Sequence, residues 1–158
     1  MNLQPGLSLA QRPAPSAGDH APLGERLAAT PRLACEALCG AINQGDVEAA
    51  LACFAPGAAL VWSDGSTAAG EQAIRARLQE LISAGAEVQI ELRGVLVAQD
   101  TALAHERWQI SHDGVPDARL AHSPAPSLVL RCLGGEWRIA IAAPWGQAAS
   151  PPLEAVWP

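Results

Sequence analysis

The chain has 158 residues, 49% of them apolar, and a formal net charge of −6, which suits one domain with a sizeable core and argues against a nucleic-acid surface. All ten basic residues are arginine, and neither lysine nor tyrosine occurs, so two common catalytic groups are missing. No run is long enough to span a bilayer, and Met1 to Gly6 lacks the basic start and apolar block of a leader, so a cytoplasmic protein with four cysteine thiols is expected.

Residues 1–29 are rich in Pro, Ala and Gly without a sustained period, and read as a mobile arm. Thr30-Pro31 opens a helix with a side-chain cap and a proline at its first position. Ala34, Cys35, Leu38, Ala41 and Ile42 form its apolar stripe. Gly45 suits a left-handed helix end, and Asp46 can cap a second helix that buries Val47, Ala50, Leu51 and Phe54 and stops at Pro56-Gly57. Ala58 to Trp62 reads as a strand, followed by the turn Ser63-Asp64-Gly65-Ser66.

Gly70 to Ala84 is the clearest helix, with Ile74, Leu78, Leu81 and Ile82 on one side and charges on the other. From Ala86 the period changes to two, with Val88, Ile90 and Leu92 alternating with polar residues. Gln99-Asp100 is a turn, Thr101 to His112 a strand, and Ser127 to Leu133 and Glu136 to Ala143 the last two, joined by Gly134-Gly135. Helix, helix, strand, helix and four strands predict an α+β domain, a curved antiparallel sheet with three helices on one face. The domain spans 30–146, and 147–158 is a C-terminal tail.

Three stretches resemble the nuclear transport factor 2 superfamily in its bacterial, SnoaL-like and ketosteroid-isomerase-like branch. They are Asn43 to Ala58, Gly70 to Arg75, and Gly135 to Gly146. The resemblance implies a cystatin-like cone, with a sheet wrapped around the helices and a pocket in its open end. It implies a small-molecule-binding protein, an enzyme of secondary metabolism of cyclase, isomerase or dehydratase type, acting on a flat apolar substrate without metal or cofactor. A non-catalytic ligand-binding cone and a dimeric interaction module are the alternatives. Isomerase chemistry needs a carboxylate base and an oxyanion site of a tyrosine and a protonated acid. The family pattern puts the base position at Trp62, the tyrosine position at Leu38 and the acid position at Leu128, all apolar here. An epoxide-hydrolase set of two aspartates and an arginine finds only Arg107, since Asp64 and Asp100 lie in turns.

On the strand 101–112, His105, Arg107 and Gln109 share one face and Glu106, Trp108 and Ile110 the other. Apolarity alone points Trp108 and Ile110 inward. Family spacing counted from Val97-Ala98 points His105, Arg107 and Gln109 inward, and that is the expectation adopted. His105 is then the candidate acid or base, with Asp64 at the cavity mouth as a second. Trp62, Leu128, Ile141 and Trp145 form pocket wall, and Arg107 would favour a planar apolar anion. His112, Asp113 and His122 match no recognised zinc spacing, so no metal is expected. A homodimer through the sheet is expected, with a polar, wet interface built on Glu87, Gln89, Glu91 and Arg93.

Overall fold

The computed structural model describes residues 29–120 and 127–146; the tail 147–158 and all of the arm but its last residue lie outside them, as does His122. Helix α1 runs Pro31–Asn43, and the Thr30 hydroxyl accepts the Leu33 N–H at 3.2 Å. Its end is closed by Gly45 at φ +75°: the Gly45 N–H donates to the Ile42 carbonyl and the Asp46 N–H to that of Ala41. Those two bonds satisfy carbonyls the helix end would otherwise leave bare. Asp46 then caps α2, Val47–Ala52, by accepting the Ala49 N–H at 2.9 Å.

Helix α2 is shorter than its apolar spacing suggests, because Phe54 already belongs to strand β1, Phe54–Val61. The proline-glycine pair expected to stop the helix lies inside this strand instead. Phe54 stands opposite Ile139 and Ala59 opposite Ile141, so Ala55 to Ala58 bulge out of the ladder. A bulge is where a strand tolerates a residue without an N–H.

The remaining elements are β2 (Thr67–Ala69), α3 (Glu71–Ser83), β3 (Ala86–Ala98), β4 (Thr101–His112), the short β5 (Val115–Pro116), β6 (Ser127–Leu133) and β7 (Glu136–Ala143). The main path through the sheet is β2-β1-β7-β6-β4-β3, with β5 on β4. It departs from the wholly antiparallel expectation at one place, since β1 and β7 run parallel. The helices pack on the inner face, where Leu38, Ile74 and Leu78 meet Val88, Ile110, Leu128, Leu130 and Ile139.

Strand β3 is the sheet edge, and α1 ties it down. The Asn43 side chain donates to the Val88 carbonyl at 2.9 Å and accepts the Val88 N–H at 2.8 Å, imitating a neighbouring strand. Free strand edges invite wrong partners, so this clamp both fixes the helix and blunts the edge. At the other end of β3 the turn Gln99-Asp100, with Gln99 at φ +53°, pairs Ala98 with Thr101 and Val97 with Ala102. That pairing decides which β4 side chains enter the cone.

Candidate functional site

Strand β4 alternates strictly between exposed and buried from Thr101 to Ile110. Ala102, Ala104, Glu106, Trp108 and Ile110 point inward; His105, Arg107 and Gln109 are exposed. The inward orientation expected for His105, Arg107 and Gln109 is therefore reversed. The hairpin places Ala102 beside Val97, so the even-numbered residues take the inner face, one position from where family spacing puts them. Energetics agree with the geometry. Burying the Trp108 ring is worth roughly 4–6 kcal/mol, whereas turning Arg107 inward would strip a guanidinium of water at a cost of several kcal/mol.

The cone interior is nearly full. A cavity of about 20 Å³ remains between Leu38, Leu60, Leu78, Trp62, Trp108 and Trp145. That is room for at most one water. Wider hollows of about 300–370 Å³ lie half open on the surface, and two of them, one beside β5, are lined by Arg107 and Gln109. Trp62 and Trp145 thus line the inner cavity, the fully buried Leu128 stands on the inner side without lining it, and Ile141, 46% exposed, looks outward onto one of the surface hollows.

Glu106 is the one buried charged residue of the described chain, at 5% exposure. Its Oε1 accepts the Trp108 indole N–H at 3.2 Å, and its Oε2 is buried without a partner. The Leu128 N–H faces the carboxyl outside hydrogen-bond geometry. Burial pushes the Glu106 pKa up from 4.5 to about 7, against the pull of those two N–H groups. The acid thus stands beside Leu128, the position the resemblance assigns to an acid. Sequence reasoning gives Glu106, with Trp108, the pocket wall only if this face of the strand points inward, and assigns it no chemical role, although a lone glutamate among Ala102, Ala104, Trp108 and Ile110 at period two was the signal.

At the mouth, Trp62 and Trp145 meet edge to face, centroids 4.9 Å apart. Arg77 lies 5.0 Å over Trp62 and Arg119 5.9 Å over Trp145. Arg119 forks onto Asp117 at 2.6–3.1 Å and donates to the Ser63 hydroxyl at 2.7 Å, which joins the segment after β5 to the turn after β1. Those hydrogen bonds hold the Asp117 carboxyl below its usual range. The Trp145 N–H faces that carboxylate without a regular hydrogen bond. Asp64 is exposed at the turn, where it accepts the Ser66 N–H at 2.8 Å and sits 3.9 Å from Arg77. Its carboxyl is held low, first by the Ser66 hydrogen bonds, which suits a turn cap better than a base.

Cys35, Cys39 and Cys53 are pushed up to about 12, 11 and 11 by burial, with the charge of Glu106 adding to the shift at Cys35. Such thiols stay protonated and are poor nucleophiles. Among the described residues no group of three His, Cys, Asp or Glu is placed to hold a metal. His112 contacts the Ala84 carbonyl at 3.3 Å through Nδ1. No described helix is long and apolar enough to cross a membrane.

A curved, open, mixed sheet closed over three helices defines an α+β cone of the cystatin-like class. Within that class the chain belongs to the SnoaL-like domain family, which it matches over residues 35–128. Solved structures agree on the fold. A domain of unknown function with a cystatin-like fold from Nostoc punctiforme is 21% identical, with a TM-score of 0.60 over 79% of this chain and 78% of that one. A nuclear transport factor 2-like protein from Novosphingobium aromaticivorans is 20% identical, with a TM-score of 0.58 over 80% and 86%. A ketosteroid isomerase-like protein from Erwinia carotovora atroseptica is 17% identical, with a TM-score of 0.56 over 76% and 94%. No curated protein matches the chain.

Glu106 sets a pH dependence. Because its folded pKa is raised from 4.5 to about 7, its stabilising contribution is complete below pH 4.5 and is lost as pH rises to about 7. Glu106→Gln should therefore be more stable than the parent by roughly 3 kcal/mol at pH 8. The advantage should shrink steadily toward pH 4.5. Urea denaturation across that range checks it, and a pH-independent difference would contradict it.

Proposed function

We propose that this protein binds a small, flat, apolar molecule in the cone, between Trp62, Trp108 and Trp145, with Glu106 as its polar anchor. The observation that carries the reading is the Glu106 carboxyl, buried with one oxygen unpartnered. Folding alone favours an apolar residue there, because a buried polar atom without a partner costs about 1–3 kcal/mol. A pKa near 7 also matches what a general acid or base needs at neutral pH. An enzymatic role in secondary metabolism would rest on Glu106, since the positions that the resemblance assigns to an isomerase's base and oxyanion groups, Trp62, Leu38 and Leu128, are apolar. Membership of the SnoaL-like family supports the ligand-binding part of the reading.

The small cavity requires the Trp62–Trp145 pair to part when ligand enters. Titrating the chain with 2-naphthol should shift the indole N–H resonances of Trp62, Trp108 and Trp145 and spare that of Trp137. Trp62→Ala should weaken binding about tenfold, the equivalent of one lost aromatic contact. Uniform shifts, or none, would contradict the reading.

A second reading concerns the outer face of the sheet. Leu96 stands opposite Leu103, Leu103 opposite Val129, and Val129 opposite Ile141. This apolar row crosses four strands, with Leu96, Leu103 and Ile141 exposed at 66%, 37% and 46%. It favours a homodimer through the sheet, centred on that row rather than on Glu87, Gln89, Glu91 and Arg93. Light scattering should give twice the chain mass of 16.3 kDa, and Ile141→Glu should return it to one chain's mass. A monomer at micromolar concentration would contradict the dimer.

A further inference from the structure

The charge of the ligand is legible from where β4 leaves its own charges. Arg107 and His105 face away from the cone, and the side chains lining the inner cavity are uncharged. The buried carboxyl nearest in contact is that of Glu106, which stands outside this lining and accepts the indole N–H of the lining residue Trp108. Three indoles line this cavity, and two of them already hold a cation on a face, Trp62 under Arg77 and Trp145 under Arg119. Ring faces attract cations through their quadrupole. An indole whose N–H donates to a carboxylate gains electron density, and Trp108 makes such a bond to Glu106 with no arginine on its face.

We propose that the cone selects ligands carrying an ammonium group on an apolar body, the cation seated against Trp108 and balanced by Glu106. The proposal rests on the ligand-binding reading above and adds the ligand's charge to it. It also reverses the anion preference that an inward Arg107 would have given. An anion against Trp108 would meet the like charge of Glu106, while the two arginines at the mouth, Arg77 and Arg119, are already paired with Glu80 and Asp117. A neutral molecule would leave the ionised form of Glu106 unbalanced in a low-dielectric interior.

The protons balance simply. An ammonium group binds to the ionised carboxylate, so a protonated Glu106 gives its proton to the buffer on binding. With a pKa of about 7, release should be near-complete at pH 6 and small at pH 8.5. The titratable group facing Glu106 from α1 is Cys35, whose thiol remains neutral in this range. The neighbours on β4 and β6, Trp108 and Leu128, offer only N–H groups.

Three probes of one size separate the possibilities: cyclohexylmethylamine, cyclohexylmethanol and cyclohexanecarboxylate, titrated into the full chain. Tryptophan fluorescence and the Trp108 indole resonance report binding. At pH 8 the amine should bind at least about tenfold more tightly than the alcohol, with the carboxylate weakest. The preference should fall below about threefold at pH 5 and in Glu106→Gln, while Glu87→Gln, an equal change in net charge on the outer face, should keep it. Calorimetry of the parent chain at pH 6 in buffers of different ionisation enthalpy should show about one proton released per amine. That readout needs no variant to fold. An alcohol binding as tightly as the amine at pH 8, or an undiminished preference in a folded Glu106→Gln, would overturn the proposal and leave the ligand-binding reading standing. Failure of all three probes to move Trp108 would overturn the proposal, and failure of 2-naphthol as well would overturn both.

Discussion

The parity of β4 governs this site. One two-residue turn at Gln99-Asp100 sets Val97 against Ala102, and every second residue from there faces the helices. Had the pairing slipped by one, His105, Arg107 and Gln109 would line the cone, and Trp108 would lie in water. The slip is prevented by energy as much as by geometry. Ala102, Ala104, Trp108 and Ile110 are buried together, and no register on the opposite parity buries comparable apolar area. Glu106 is carried into the interior by its neighbours. Its own chemistry opposes the position it occupies.

That opposition connects fold to function. The core pays for a carboxyl it does not need, and the rest of the cone is packed so that the cost can be met. Asn43 holds α1 on β3 through both polar atoms of Val88, which keeps Cys35 and Leu38 pressed against the inner sheet. At the mouth, Arg77 and Arg119 brace Trp62 and Trp145 from outside, each arginine held by a carboxylate and a serine hydroxyl. The Trp62–Trp145 pair that lines the inner cavity is thus restrained by an exposed pair, Arg77–Glu80, and by Arg119 on Asp117, whose side chain is 6% exposed. An exposed pair such as Arg77–Glu80 contributes about 0–1 kcal/mol, a restraint on Trp62 weak enough for a ligand to displace.

Much of the fold was legible from periodicity. The buried stripe of α1 is the set Ala34, Cys35, Leu38, Ala41 and Ile42 that helical spacing selects, and β4, β6 and β7 begin and end where their turns place them. The departures arose where local signals compete with tertiary ones. Pro56-Gly57 reads as a helix stop but lies in a bulge, and Phe54 continues an apolar helical pattern yet pairs with Ile139. The parallel pairing of β1 with β7 links residues some eighty apart, beyond the reach of any turn signal. The site was less legible for the same reason. Period two says which residues share a face, but only the partner strand and the helices decide which face is inside. Asp117 and Arg119 gain their roles through Ser63 and Trp145, contacts that sequence spacing does not encode.

The central claim is that Glu106 is an inner, largely dehydrated acid. Carbon-13 labelling of the glutamate side chains and a pH titration of the Glu106 carboxyl resonance, assigned by loss of the signal in Glu106→Gln, measures this directly. The account predicts a midpoint of about 7, far above the 4.5 of an exposed glutamate. A midpoint near 4.5 would place the carboxylate in water and contradict the parity of β4 on which the site is built.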